Sequence, residues 1–173
     1  MIITIGGPIG SGKTTVAKAV AERFGLRHIS AGIIFREMAK ERRLSLEEFS
    51  RVAEGDESFD KIVDEKQKEL AKKGNAVVDG RLSGRFIEEA DIKIWLTAPI
   101  ELRAERVSKR ENKTLKQATE ELKKREKSEA ARYKRLYGIN LYDISGYDVV
   151  LNTTLWSAEG VIKIIETLIE VKL

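Results

Sequence analysis

The segment that decides the fold is Gly7-Pro8-Ile9-Gly10-Ser11-Gly12-Lys13-Thr14, which matches the pattern G-x-x-x-x-G-K-[ST]. An apolar, β-branched run at residues 1–5 precedes it and predicts a buried strand. The residues after it carry apolar side chains on one helical face, and Gly25 stands where a left-handed C-terminal cap is expected. A strand, a glycine-rich loop and a helix in direct succession predict a phosphate-binding loop.

Each residue type in this loop suits the binding of phosphate for a chemical reason. Glycines let backbone amides approach phosphate oxygens without a Cβ clash, and the N-terminus of the next helix adds the positive end of its dipole. The Lys13 ammonium reaches the β- and γ-phosphates, and the Thr14 hydroxyl is a ligand for Mg²⁺. We therefore predict that ATP, the phosphate donor, and Mg²⁺ bind here. The predicted donor-site residues are Gly7, Pro8, Ile9, Gly10, Ser11, Gly12, Lys13, Thr14 and Thr15.

Outward from the loop, strand-like and helix-like segments alternate. Short apolar runs predict further strands at 27–30, 76–78, 91–97 and 148–152, which makes five with the first. Helices are predicted at 33–42, 58–73, 100–110 and 115–136, with one more beginning after Ser157. Capping boxes at Ser45 and Thr114 mark two helix starts. This alternation predicts an α/β fold with a mostly parallel sheet.

Composition restricts the possible functions. A chain of 173 residues suits one domain, 1–173, with one sizeable core. The absence of cysteine excludes disulfides and thiolate chemistry, and a single histidine, His28, argues against His-based metal clusters and Ser-His-Asp catalysis. No apolar run reaches the roughly 18 residues of a membrane span, and no basic region precedes the first strand. We expect a cytoplasmic protein without a membrane partner, and a monomer.

Positive charge is concentrated in one segment. Residues 101–135 contain thirteen Lys and Arg against seven Asp and Glu, so they carry +6, whereas the whole chain carries only +4. The rest of the chain therefore carries a net charge of −2. The helices of this segment have few apolar residues and are expected to be solvated. Such a segment indicates a phosphate or polyanion partner.

The use of the triphosphate must be inferred from the remaining residues. The guanine motif N-K-x-D is absent, and the chain is short for a motor or transporter ATPase. An acceptor that is a phosphate monoester needs no general base but requires cations that hold two repelling anions in line. A hydroxyl acceptor would need a carboxylate, and Asp79 at the end of the third strand either fills that role or holds a Mg²⁺-bound water. The surplus of arginine favours a phosphorylated acceptor.

Several arginines are candidates for holding phosphate. Arg36 and Arg81 follow strand ends, where ligands of parallel sheets bind. Arg125 and Arg132 are seven residues apart, so they share a helix face and could clamp one anion. Arg106 and Arg110 are one turn apart and are assigned to the donor, either to its phosphates or to its base. We interpret His28 as structural, and Trp95 and Trp156 as aromatic residues of the core or its edge.

These features together resemble the cytidylate kinases. The resemblance rests on the phosphate loop, on Ile29-Ser30-Ala31-Gly32 with Arg36, on Asp79-Gly80-Arg81, on the segment 90–98 with Arg103 and Arg106, and on Arg125-Glu126-Lys127-Ser128-Glu129-Ala130-Ala131-Arg132. It covers nearly the whole chain, and the short helical insert at 45–73 is similar to that of the archaeal members.

The resemblance implies the following fold and roles. The fold would be the three-layer P-loop NTPase type, with a five-stranded parallel sheet, a helical insert for the nucleoside monophosphate at about 31–73 and a helical lid at about 103–138. Ser30, Arg36 and Arg81 would contact the monophosphate, and Arg125, Glu129 and Arg132 would close over it. The predicted catalytic residues are Lys13, Arg81, Arg125 and Arg132; Asp79 is a predicted substrate contact and, with Thr14, a predicted metal ligand.

The sequence thus predicts a nucleoside monophosphate kinase that uses ATP and most readily CMP or dCMP, with AMP or UMP as the next alternatives. Two other classes remain open. A kinase of a small hydroxyl metabolite would share the loop and use Asp79 as base. An ATP-gated nucleic-acid-binding module would use the basic helices, but their interleaved acids and few aromatics argue against a nucleic-acid partner.

Overall fold

The computed structural model describes residues 1–172, apart from the side chains of Leu46 and Glu47. The strands are β1 (Ile2–Gly6), β2 (Arg27–Ser30), β3 (Ala76–Asp79), β4 (Ile92–Thr97) and β5 (Val149–Asn152). The helices are α1 (Lys13–Arg23), α2 (Ala31–Glu41), α3 (Leu46–Gly55), α4 (Ser58–Ala71), α5 (Ser83–Phe86), α6 (Ile100–Glu111), α7 (Leu115–Tyr137) and α8 (Ala158–Lys172). The predicted α/β class is confirmed.

The strands form one parallel sheet in the order β2-β3-β1-β4-β5. β1 and β3 are buried along their whole length, as strands covered by helices on both faces must be. The register pairs Ile5 with Asp79, and Asp79 with Ser30. The carboxyl ends of β1, β2 and β3 therefore meet beside the glycine-rich loop, which is the edge where open α/β sheets bind ligands.

Helices cover both faces of the sheet. On one face α1 and α8 pack against β1 and β4 through a cluster that includes Val20, Ile94 and Ile165. On the other face α2, α3 and α4 pack on β2 and β3 around the fully buried Phe49. This is the predicted three-layer arrangement, and α2 to α4 occupy the predicted excursion between β2 and β3.

Local sequence signals place most helix ends correctly. Ser45 and Thr114 each form both hydrogen bonds of a capping box, and the Ser157 hydroxyl accepts a hydrogen bond from the amide of Gly160. Gly25 has a φ of 62°, as expected of a left-handed cap. The four-residue helix α5, directly after β3, was not predicted, because a single turn has no periodicity to detect.

The expectation of fully solvated basic helices was wrong in part. α6 and α7 bury Ala104, Val107, Ala118 and Leu122 against Ile9 of the loop. Farther along α7, Tyr133 packs with Leu82 and Trp95. Two helices that pair need only one narrow apolar stripe each, so an almost wholly polar composition conceals the contact. The prediction for Trp95 is confirmed, whereas Trp156 is 51% exposed and does not belong to the core.

Candidate active site

The loop between β1 and α1 is open where a ligand would approach. Gly7, Gly10 and Gly12 all have positive φ, at 146°, 81° and 92°. A Cβ at Gly10 would lie 2.8 Å from the carbonyl oxygen of Arg103, whereas a Cβ at Gly12 would meet nothing within 4 Å. No side chain caps α1 at Gly12, so its first amides lack side-chain acceptors. The loop thus presents free backbone donors to open space.

Lys13 lies at the centre of this cradle. Its Nζ donates a hydrogen bond to the Pro8 carbonyl at 3.2 Å, which folds the side chain back along the loop. Burial, followed by the positive charges of Arg81 and Arg125, lowers the pKa of Lys13 to about 8, although Asp79 and Glu129 oppose this. Thr14 and Thr15 are exposed beside it. An added anion would raise this pKa again, so the protonated Lys13 would bind it favourably.

Asp79 is the buried acid at the end of β3. Burial would raise its pKa, but His28, then Ser30, Thr14 and Lys13 hold the pKa of Asp79 below its usual value. His28 Nε2 lies 3.8 Å from Asp79 Oδ1. The closeness of His28 to an acid 51 residues later was not visible in the sequence.

The residues near Thr14 suit Mg²⁺ in kind. Asp79 Oδ2 is buried and accepts no hydrogen bond, and the Thr14 hydroxyl is exposed nearby. Oxygen ligands of these two types are those that Mg²⁺ prefers, with phosphate and water completing the shell. Among the described residues no group of three or more His, Cys, Asp or Glu forms a metal site.

Arg81 follows Asp79 by two residues and faces α7. Its side chain is 9% exposed, and its Nε donates to Glu129. A second acid of α7, Glu126, lies 3.9 Å from the Arg81 Nη1 and pairs more closely with Arg103. The Arg81 Nη2 is buried without a hydrogen-bond partner. Arg81 thus keeps one donor free although two carboxylates surround it.

The other candidate arginines divide into two groups. Arg125 is exposed at its tip and lies close enough to Lys13 and Glu129 to act on the pKa of each. Arg132 is mostly buried and is bonded to Asp60 of α4. Arg36 is exposed on α2, and no hydrogen bond or ion pair joins it to the described residues. The structure therefore gathers Arg81, Arg125 and Arg132 around Glu129, with Lys13 near the first two, and leaves Arg36 outside this cluster.

A cavity of about 460 Å³ opens beside the loop on the other side of α1. Arg106 is tied to its wall, because its guanidinium donates to the carbonyls of Gly10 and Thr153 and to the Thr153 hydroxyl. Arg110 and Trp156 line the same cavity and are more exposed. A flat aromatic ring in such a cavity can stack on a base, so Trp156 is a candidate donor-site residue that the sequence interpretation missed.

The sequence interpretation also missed Gln67 and Asp60, and it named Arg103 in the resemblance without giving it a role. Gln67 of α4 is buried and donates from Nε2 to the Asp79 carbonyl at 2.9 Å. Arg103 donates to the carbonyls of Ala98 and Ile9, which fixes α6 against the loop. Asp60 is buried and bonded to a predicted catalytic arginine. The only sequence signal for Asp60 and Gln67 is that they form, with Asp64, an i, i+4, i+7 polar stripe on an otherwise amphipathic helix.

A parallel sheet in this strand order, with a G-x-x-x-x-G-K-T loop after its central strand and buried arginines facing that loop, defines a P-loop kinase fold. Solved structures agree. The shikimate kinase of Bacteroides thetaiotaomicron has a TM-score of 0.65 at 16% identity over 98% of each chain. That of Aquifex aeolicus has a TM-score of 0.65 at 21% identity, covering 98% of this chain and 96% of the other. These likenesses concern the fold alone.

The family follows from sequence comparison. The chain belongs to the cytidylate kinase-like family, which matches residues 2–155. It is 49% identical over 170 residues to the cytidylate kinase of Pyrococcus horikoshii, covering 98% of this chain and 88% of that protein. It is 52% identical over 166 residues to that of Methanocella arvoryzae, covering 95% and 94%. The resemblance to cytidylate kinases of archaea is thereby confirmed.

Proposed function

We propose that the protein is a nucleoside monophosphate kinase that transfers the γ-phosphoryl group of ATP to CMP or dCMP. The observation that carries the proposal is the cluster of Arg81, Arg125 and Arg132 around Glu129, because two of these arginines, Arg81 and Arg125, also lie near Lys13. The cationic side chains lie on the β3 and α7 side of the loop, separate from the cavity at Arg110. This arrangement suits two anionic phosphates that must meet in line. The names of the archaeal relatives supply the base, cytosine.

The donor would lie on the loop. The free amides at the start of α1 and the Lys13 ammonium would bind its β- and γ-phosphates, and the open space at Gly12 would admit them. The base would enter the cavity beside Arg110 and Trp156. Arg106 would act mainly by holding the loop against the end of β5. Pro8 and Gly10 contribute carbonyls to these supporting bonds, so they shape the loop.

The acceptor would be held by side chains. The Arg81 Nη2 has no hydrogen-bond partner and Arg125 is exposed, so both side chains can bind the acceptor phosphate. Ser30 and Arg36 would contact the acceptor from β2 and α2. A phosphate monoester is already anionic near neutral pH, so no residue must remove a proton from it. The chain's task is to neutralise and align the two phosphates.

Thr14 would bind Mg²⁺ directly through its hydroxyl, and Asp79 would hold the ion through a bound water. When bound, the ion neutralises charge on the phosphate oxygens of the donor. The low pKa of Asp79 keeps this carboxylate ionised at neutral pH, as a ligand to a cation or to its water must be. The residues 31–73 and 103–138 would serve as acceptor insert and lid, closing to exclude water, which would otherwise accept the phosphoryl group.

An acceptor panel tests the proposal. The purified protein is supplied with ATP, Mg²⁺ and one of CMP, dCMP, UMP, AMP, GMP, shikimate or glycerol, and ADP release is measured. We expect CMP and dCMP to give the highest kcat/KM. Turnover of a hydroxyl acceptor with none of the monophosphates would replace the proposal by a metabolite kinase with Asp79 as base. Salt-sensitive binding of single-stranded RNA without turnover would favour the nucleic-acid module.

A further inference from the structure

Arg132 of α7 is held on two sides by its neighbours. Its Nε donates to Asp60 Oδ2 at 2.6 Å, and its Nη1 donates to the Ser128 hydroxyl at 2.6 Å. Within the described part of the chain, no hydrogen bond uses Nη2. A guanidinium is planar, so fixing two of its nitrogens fixes the direction of the third. The orientation of the free Nη2 edge is thus set by these two contacts.

Asp60 and Ser128 differ in where they lie. Ser128 is one turn away on the same helix, so it moves with Arg132 whatever α7 does. Asp60 lies on α4, 72 residues earlier in the chain, and belongs to the segment between β2 and β3. Its carboxylate is therefore a contact between two separate excursions from the sheet. The orientation of Arg132 depends on both being in place.

The pair is more than a surface ion pair. The Arg132 and Asp60 side chains are 14% and 11% exposed, and both lie near Glu129, whose charge acts on the pKa of each. A buried guanidinium must be paired, and loss of its partner leaves an uncompensated charge free to reorient. Next to it, Arg135 of α7 pairs with Glu57, the residue directly before α4, but the Arg135 side chain is 61% exposed. Both ion pairs connect α7 to the beginning of α4, but only the pair of Arg132 and Asp60 is buried.

We propose that Asp60 is a positioning residue for phosphoryl transfer, which directs Arg132 toward the phosphates only when α4 and α7 are together. The inference rests on the proposed kinase function and deepens it. It assigns to the acceptor-side segment a role in completing the cation cluster, in addition to shaping the acceptor pocket. Arg81 differs in its connection, because its pair with Glu129 joins α7 to the sheet edge and does not involve α4.

The test compares Asp60→Ala with Glu57→Ala as the matched control. With ATP and CMP, Asp60→Ala is expected to lower kcat at least tenfold while the KM for ATP stays within about twofold. Glu57→Ala breaks the neighbouring ion pair of the same helices and is expected to change kcat by less than twofold. Asp60→Asn keeps an oxygen acceptor without the charge, so its kcat is expected to lie between wild type and Asp60→Ala. Equal losses in Asp60→Ala and Glu57→Ala would overturn the inference.

A double-mutant cycle with Arg132→Ala separates positioning from a general structural effect. In the Arg132→Ala background, adding Asp60→Ala should cost less than a further twofold in kcat. A further tenfold loss there would overturn the inference, since Asp60 would then act through another group. Thermal unfolding of each variant checks that it is folded at the assay temperature. The turnover of the wild-type protein with ATP and CMP is measured first in the same assay. If the wild type does not phosphorylate CMP, the proposed function is rejected, and the role of Asp60 is not what has failed.

Discussion

The donor side and the acceptor side of the candidate site are built in different ways. The part of the donor side that would hold phosphate is one continuous segment, the loop and the first turn of α1, and it presents backbone amides and a single lysine. The acceptor side collects side chains from β2, α2, the end of β3, α4 and α7, and two of its four candidate arginines, Arg81 and Arg132, are bonded to acids. Backbone dipoles need no counter-charge, whereas buried guanidiniums do. A cationic site in a fold's interior therefore requires a second layer of acids.

The largest expected effect is on the donor side. Lys13→Met removes the one charged side chain of the loop, and we expect kcat to fall about 10²–10³-fold, as when a single preorganised donor to a developing charge is lost. Steady-state kinetics with ATP and CMP measure the loss. Lys18→Met is the control, because Lys18 is on the same helix but 68% exposed. A loss below tenfold for Lys13→Met would mean that the backbone amides alone suffice.

Next comes the acceptor side. Arg81→Ala should raise the acceptor KM or lower kcat at least tenfold, with a smaller change in the KM for ATP, because it removes a donor and leaves Glu129 buried without its partner. Arg85→Ala is the matched control, since Arg85 bonds to the carbonyl of Asp143 away from the cluster. Unchanged kinetics in Arg81→Ala would remove this residue from the site.

A smaller effect is expected in the donor cavity. Trp156→Ala should raise the KM for ATP about fivefold through the loss of one stacking contact, and leave the acceptor KM unchanged. Leu155→Ala, at the neighbouring and more exposed position, should have no such effect. Fluorescence provides a second readout. ATP should quench the exposed Trp156 and not the buried Trp95, so quenching that persists in Trp156→Ala would contradict this assignment.

The smallest effect concerns stability on the acceptor side. Burial raises the pKa of Asp64 to about 7, against the opposing hydrogen bond from the Tyr137 hydroxyl. Between about pH 4 and pH 7 the folded protein therefore keeps a proton that the unfolded chain has released, and stability falls as pH rises through this range. Asp64→Asn cannot ionise and still accepts from Tyr137. Its Tm relative to wild type should rise by a few degrees from pH 5 to pH 8.

The exposed Glu69 of the same helix supplies the control for that measurement. Glu69→Gln should shift Tm equally at both pH values. A pH-independent difference between Asp64→Asn and wild type would show that Asp64 titrates in its ordinary range. The predictions for Asp60 and for Asp64 both follow from the burial of α4 acids against α7. They therefore test whether the acceptor side depends on buried acids, which the phosphate loop does not need.

Prediction from sequence succeeded where the signal is local. The loop, the capping boxes at Ser45 and Thr114, and the cap at Gly25 each depend on a few adjacent residues. Prediction from sequence failed for Trp156, because its exposure depends on the tertiary packing around it and not on its residue type. It also failed for the α6–α7 contact, because a narrow stripe suffices when two helices pair.

The sequence by itself determined the class of fold, the donor loop and the expectation that arginines bind phosphate, because these depend on residue type and short spacing. Only the tertiary structure decided which acid faces which arginine. Asp60 and Arg132 are 72 residues apart, and so are brought together by the packing of α4 and α7 rather than by any local preference. The free energy of a buried charge depends on its nearest counter-charge, and distance along the chain does not report that neighbour.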